Sequence, residues 1–450
     1  MKKTTISINL FLIIVLFFNV NINAQEADWS LEKCIDYALK NNIQIKQQEL
    51  NTKYSGNLLK QSRADILPSI NASLSENFNF GRSVDMLTYQ YTNENTKQSN
   101  FSINTSVNLF NGFQTINTIK QNQLNLQSSL ADLEKIKNDV SLNIASAFLQ
   151  ILFSEELLEV ANNQLVTTKL QLTRIQQLVE AGTLAQGSLL DVQSQIASEE
   201  LQIVNSQNQL DIAYLNLVQM LDIDSVGNFK INKPAIQNFG NETLPFSVEQ
   251  IFAESVNKMP QIQSAEFKLL SSQKGLSIAK GRISPSLSLS GSYYTGYSDK
   301  MTNLGTTEKM AFNDQIKNNA RKAIGFDLTI PIFNKLQTHT AISNSKIDIL
   351  NSDYTLQTAK NQLHKEIQQA YADAMAAMKK YFATEKTVTS MEESFRYTQQ
   401  KFDVGMLNSV DYNLAKNNLA KTKSDLLQAK YEYIFKTKIL DFYRGTPIKL

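Results

Sequence analysis

Residues 111–182 read NGFQTINTIKQNQLNLQSSLADLEKIKNDVSLNIASAFLQILFSEELLEVANNQLVTTKLQLTRIQQLVEAG, and from Phe113 to Ala181 there are sixty-nine residues without Gly or Pro. A second such stretch, Lys335 to Val404, runs for seventy residues between Pro331 and Gly405. Both are rich in Leu, Gln, Lys, Glu and Ala, which favour helix, and both lack the residues that break one. At 1.5 Å per residue each predicts a rod of roughly 100 Å, longer than an ordinary domain is wide. In the first rod Ile144, Ile151, Leu158, Leu165 and Leu172 recur at every seventh position. Three positions after each stand Ala147, Ser154, Ala161, Thr168 and Ile175, most of them small. That is a heptad seam of large side chains facing small ones, suited to close, nearly parallel helix packing. An ordinary antiparallel coiled coil carries the same pattern, so the seam alone leaves the purpose of the rod open.

Outward from the rods the period changes. Upstream, Ser30 opens a short amphipathic helix (Leu31, Ile35, Ala38, Leu39), Asn41-Asn42 interrupts it, and a second helix covers about Gln44 to Arg63. From Ile66 to Phe80 apolar residues fall on alternate positions (Ile70, Ala72, Leu74, Phe78, Phe80) while Ser and Asn fill the other phase. A polar stretch follows, then Phe101, Ile103, Val107 and Leu109 alternate with Ser102, Asn104, Ser106 and Asn108. Both predict strands with one greasy and one polar face. Downstream of the rod, a break over Ala181–Gly187 leads to a shorter helix over about 188–222.

The whole arrangement recurs. Ile66-Leu67-Pro68-Ser69 matches Ile283-Ser284-Pro285-Ser286, Leu109-Phe110-Asn111 matches Ile332-Phe333-Asn334, and Gly182 and Leu184 match Gly405 and Leu407. This is a tandem duplication. The expected division is a signal segment 1–24; a first repeat 25–223 with strands near 66–80 and 100–110 and helices near 113–181 and 188–222; a linker 224–246; and a second repeat 247–450. The second repeat has strands near 283–297 and 323–333, then helices near 335–404 and 409–444.

The address is at the start. Lys2-Lys3 precede an apolar run from Ile8 to Val20, with small residues ending at Ala24 before Gln25, which predicts a cleaved secretory signal. The alternative is an N-terminal anchor, for which the run is short against the roughly 20 residues of a span. Cys34 is the only cysteine, so no internal disulfide forms, and it reads as a buried apolar residue on the first helix. With 44 basic and 42 acidic residues the chain offers no basic stripe for nucleic acid. Its two histidines, His339 and His364, are twenty-five apart and read as exposed helix positions, without metal-ligand spacing. No Gly-rich phosphate loop accompanies them, so neither catalysis nor a cofactor is expected.

Each repeat supplies a strand pair of ten to thirteen residues per strand with greasy and polar faces, the pattern of a membrane β-barrel. Tyr293, Tyr294 and Tyr297 read as an interfacial aromatic girdle. Four strands cannot close, and open edges are not tolerated in lipid, so either several chains share one barrel or the strands form a soluble sheet. The second alternative is a soluble periplasmic coiled-coil scaffold or adaptor.

The duplicated strand–strand–long helix–helix unit, the Leu-Phe-Asn-Gly and Ile-Pro-Ile-Phe-Asn joints, and the turns Ala181-Gly182-Thr183-Leu184 and Val404-Gly405-Met406-Leu407 together resemble the TolC-like outer membrane efflux family. The resemblance covers about Ser30 to Gly445. It implies an α+β membrane protein: a homotrimer with a 12-stranded β-barrel in the outer membrane, continuous with a 12-helix α-barrel in the periplasm. It further implies a passive duct of a tripartite efflux or type I secretion system, docked to a periplasmic adaptor that couples it to an inner-membrane transporter. Gly182, Thr183, Leu184, Gly405, Met406 and Leu407 fall on the family's docking tips, and Lys401 on a position often basic there. Asp411 falls on the family's acidic constriction, with Leu414 where a second acid stands and Ser188 at the matching place in the first repeat. Asn408-x-x-Asp411 and Ser188-x-x-Asp191 also read as capping boxes, so Asp411 has a capping role open to it beside a lining one.

Overall fold

The computed structural model describes residues 29–84, 89–93, 95–223, 229–234 and 244–449. The signal segment 1–24 and most of the linker over 224–246 lie outside the described residues. The elements follow one another as α1 (Leu31–Asn41), α2 (Ile43–Ala64), β1 (Ser69–Asn79), the two-residue strands β2 (Ser83–Val84) and β3 (Tyr91–Thr92), β4 (Thr96–Phe110), α3 (Gln114–Glu180) and α4 (Gln186–Met220). Then come α5 (Val248–Ser255), α6 (Pro260–Gly281), β5 (Ser286–Ser298), α7 (Phe312–Asn318), β6 (Arg321–Thr329), α8 (Gln337–Asp403) and α9 (Ser409–Tyr443). The long helices α3 and α8 have 67 residues each, and α4 and α9 have 35 each. β6 stops before Pro331, which has no N–H to give a ladder. β4 begins earlier than its alternation suggests and is the longest strand at 15 residues.

The chain forms two compact units, and each draws on both repeats. One comprises residues up to Ile45, Lys137–Ile251 and Ile367–Leu450; the other comprises Lys46–Ile136 and Phe252–Glu366. The duplication boundary is therefore not the boundary between compact units.

In the second unit the four main strands form one antiparallel sheet in the order β1-β4-β5-β6, so the central pair joins one strand from each repeat. Register places Leu74 opposite Phe101, Ile103 opposite Tyr293 and Leu289 opposite Phe326, which gathers the apolar phase on one face. That face is bare: Ile70, Leu74, Ile324 and Phe326 are 72%, 67%, 82% and 69% exposed. The other face is stitched by hydroxyls and amides, with Ser73 Oγ 2.6 Å from Ser102 Oγ. Tyr294 falls on it, its hydroxyl donating to Asn100 Oδ1 at 2.6 Å. Of the three tyrosines expected in a girdle, Tyr293 and Tyr297 share the greasy face and Tyr294 does not, because adjacent residues of a strand point to opposite faces. Among the described residues the outer edges of β1 and β6 have no strand partner.

The strand-to-helix joints are built alike. Gly112 and Phe113 are left-handed (φ 64° and 61°), and so are Lys335 and Leu336 (φ 53° and 65°). Asn111 donates its side-chain amide to Thr115 Oγ1 at 2.8 Å, and Asn334 does the same to Thr338. Gly112 adopts its conformation without strain, whereas Lys335 does not. Lys335→Gly should raise stability by about 0.5–1 kcal/mol, the relief of about 1–2 kcal/mol less the extra chain entropy of glycine. Urea midpoints in detergent will show it.

In the first unit, Trp29 is bridged to Ile231, its N–H donating to Lys230 O at 2.9 Å, so the described part of the linker docks beside α1. The Trp29 ring meets Tyr37 and Phe229, while Leu31, Cys34 and Ala38 are buried beneath. Along α3 the seam positions Ile144, Ile151, Ser154, Thr168 and Ile175 are buried, while Ala147, Leu158, Ala161, Leu165 and Leu172 are half-buried, so the heptad marks the packed side but not an equally enclosed one.

Candidate functional site

Both helical hairpins turn in the same way. Gly182, at φ 74°, donates its N–H to Val179 O, and Thr183 N–H reaches Leu178 O, each at 2.9 Å. Gly405, at φ 75°, donates to Phe402 O at 3.1 Å, and Met406 N–H reaches Lys401 O at 2.8 Å. Each is a Schellman cap with glycine in the left-handed position, which satisfies carbonyls that a helix end leaves free. Thr183 adds its hydroxyl, donating to Leu178 O at 2.8 Å. Met406 is 79% exposed and Lys401 also stands in solvent; Leu184 and Leu407 are half-buried.

Two polar links tie one turn to the other. Arg174 on α3 pairs with the Asp403 carboxylate at the end of α8, Nη1 to Oδ1 2.5 Å, and donates from Nη2 to its carbonyl. Ser409 Oγ donates to Asp191 Oδ2 at 2.7 Å. Behind them Tyr412, buried on α9, stacks on Phe402 with ring centroids 4.5 Å apart.

Asp411 is exposed in the first turn of α9. Asn408, the N-cap, accepts the Asp411 N–H at 2.8 Å and donates its amide to Asp411 Oδ2 at 2.9 Å. Leu414 is 59% exposed and Ser188 half-buried. The second capping box does not form. α4 begins at Gln186 with Ala185 in the cap position and no side-chain bond there, so Ser188 is the third helical residue and Asp191 is free for Ser409. Asn408→Ala should therefore cost about 1 kcal/mol, and Ser188→Ala should stay within about 0.5 kcal/mol, both read from urea unfolding.

One buried charge pair lies where α3, α4 and α9 meet. Lys416 Nζ is 3.1 Å from Glu199 Oε1, with 6% of each side chain exposed. Thr168 donates to the same carboxylate and lies against the ammonium. Gln195 Nε2 donates to Glu199 Oε1 at 2.8 Å and to Asn417 Oδ1 at 3.0 Å. Burial pushes the pKa of Lys416 down, and Glu199 partly opposes the shift. A cavity of about 490 Å³ adjoins the network, lined by Phe153, Leu157, Gln164 and Gln202 among others. Neither Lys416 nor Glu199 stands out in the sequence, because nothing in their spacing pairs residues 217 apart.

These groups tie helices together and hold no reacting atom. Among the described residues no cluster of three metal-ligating side chains occurs. His339 is exposed, but His364 is half-buried, its ring edge-on to Phe252 at 4.8 Å, so the expectation of an exposed His364 is corrected by aromatic packing. Cys34 is enclosed, and burial pushes its thiol up to about 12, which leaves it unreactive. No described helix is long and apolar enough to cross a membrane.

The family model for outer membrane efflux proteins matches residues 34–222 and again 253–441, once per repeat. The chain is 22% identical to the outer membrane protein TolC of Vibrio cholerae serotype O1 over 418 residues, covering 90% of this chain and 88% of that protein. Among solved structures, the outer membrane protein VceC of Vibrio cholerae superposes with a TM-score of 0.76 at 14% identity, covering 93% and 97% of the two chains. The open state of the Neisseria gonorrhoeae MtrE outer membrane channel gives 0.73 at 17% identity, covering 92% and 88%. Matched along both repeats, the chain belongs to the outer membrane efflux protein family, and is an efflux channel protein of the outer membrane rather than an enzyme or a soluble scaffold.

Proposed function

We propose that the chain, after removal of 1–24, works as a homotrimeric passive duct docked to a periplasmic adaptor and an inner-membrane pump, in tripartite efflux or type I secretion. The observation that carries this reading is the open sheet, greasy on one face, polar on the other and, among the described residues, without a strand partner at either edge. Unpaired backbone groups in lipid cost several kcal/mol each, so the edges call for further strands. Three chains supply twelve, between the roughly eight strands whose barrel interior is filled by side chains and the sixteen or more of porins. The paired hairpins of the repeats 25–223 and 247–450 then supply a twelve-helix barrel, with the short helices and 224–246 in an equatorial belt around it. Gly182, Thr183, Leu184, Lys401, Gly405, Met406 and Leu407 form the adaptor-docking tips. Asp411 lines the constriction, with Leu414 and Ser188 beside it.

Purification of the mature chain in detergent, followed by mass measurement and planar-bilayer recording, tests this. A conducting trimer is expected; a monomer without conductance would end the reading. Three Asp411 carboxylates around one axis attract cations. Asp411→Ala should therefore lower cation preference and weaken block by multivalent cations, and unchanged selectivity would leave Asp411 as a partner of Asn408 alone.

A further inference from the structure

The greasy face of the sheet ends differently at its two ends. At the joints with the helices Leu67, Ile283, Ile332 and Phe333 stand open to their surroundings. At the far end the chain covers the face itself. The connection from β5 to β6 turns back and lays α7 on it: Phe312 packs against Phe101 and Tyr297, with centroids 6.3 and 5.3 Å apart. Thr295 Oγ1 donates to Ile316 O at 2.6 Å. The buried Gln315 accepts from Ser298 N–H at 2.9 Å and donates to Ser298 O and Met310 O. Asn319 donates to Gly296 O at 2.8 Å. Register puts Phe101, Thr295 and Tyr297 in the phase of Ile103 and Tyr293, so α7 lies on the face that a membrane sheet turns to lipid.

Away from the sheet, α7 presents Asn313, Asp314, Lys317 and Asn318, all exposed. On the same face, Lys322 stands opposite Tyr293 and the Glu76–Lys97 pair stands near the same end. A lysine on the lipid face of a barrel costs about 2–4 kcal/mol at the bilayer midplane and about 0–1 near its surface. Hydrocarbon must therefore end before these groups begin. We infer that α7 is an interfacial ledge, seated in the headgroup layer of the outer leaflet, which fixes how deep the barrel rides. It rests on the channel reading above. Hydrocarbon then lies on the helix side of the row Ile103–Tyr293–Lys322, where Ile324, Phe326 and Leu328 stand, and the far ends of β4 and β5 stand among headgroups.

Single cysteines at Lys317, Ile324 and Thr306 test this in the full chain, since the enclosed Cys34 stays unlabelled and the unaltered chain is the blank. Each is labelled with an environment-sensitive fluorophore and reconstituted into phosphatidylcholine–phosphatidylglycerol vesicles. The vesicles carry nitroxide quenchers either on the headgroup or at mid-chain. Lys317→Cys should be quenched several-fold more by the headgroup probe, Ile324→Cys more by the mid-chain probe, and Thr306→Cys by aqueous iodide alone. The ledge is overturned if the label at 317 answers only to iodide, or answers to the mid-chain probe as strongly as the label at 324. If the label at 324 escapes the mid-chain probe, the membrane reading of the sheet fails, and the ledge with it.

Discussion

Lys416→Met should cost about 3–5 kcal/mol, because it leaves the Glu199 carboxylate buried without its cation. The double variant Lys416→Met/Glu199→Met should recover most of the loss or exceed the parent, since apolar side chains of similar volume avoid the desolvation of both charges. Thr168 keeps a partner in either variant through Gln164 O at 3.0 Å. The pair also has a pH signature. The folded pKa of Lys416 is lowered, chiefly by burial, so between it and the ordinary lysine range the unfolded chain holds more protons than the folded one. Stability therefore rises with pH through that interval. In Lys416→Met this rise is absent. Urea midpoints across a pH series up to the ordinary lysine range, read as the difference between the parent and Lys416→Met so that shared tyrosine titration cancels, measure both effects; equal losses in the single and double variants would refute the pairing.

Gly112→Ala should be the costliest of the glycine substitutions at the tips and joints. A Cβ there lies 2.2 Å from the Gly281 carbonyl oxygen and 2.8 Å from Ser284 Cβ, on a backbone already left-handed. Left-handed strain of about 1–2 kcal/mol and overpacking of about 1–3 kcal/mol add to about 2–5 kcal/mol. Gly182→Ala isolates the first contribution: its φ is 74°, but nothing stands within 4 Å of its Cβ. It should lose only about 1–2 kcal/mol. Matched losses in the two variants, by urea unfolding in detergent, would show that the strand–helix joint relaxes around the added methyl.

The rods were legible because a helix of 67 residues needs only the absence of breakers, and the buried Ile144 and Ile151 because a heptad repeats often enough to be seen. The two faces of the sheet were legible in the same way, from alternation. What stayed hidden depends on single contacts. α7 is seven residues long, too short for a helical period. Arg174 and Asp403 meet across 229 positions of chain. Ser188 matched a capping pattern, yet the helix starts two residues before it and hands Asp191 to the opposite hairpin. Local pattern fixes elements; which polar groups meet is decided by how the hairpins pack.

The central strand pair has a kinetic consequence. Asn100 on β4 and Tyr294 on β5 are partners 194 residues apart, so the middle of the sheet cannot close until the second repeat has been made and delivered as far as β5. Until then the β1–β4 ladder has a free edge and an uncovered greasy face, a template for wrong pairing with another chain. Ladder contacts of such high order form slowly. Helices α3 and α4, which need only local hydrogen bonds, can be in place first, so the sheet closes after them and is the part most in need of a chaperone on the way to the membrane.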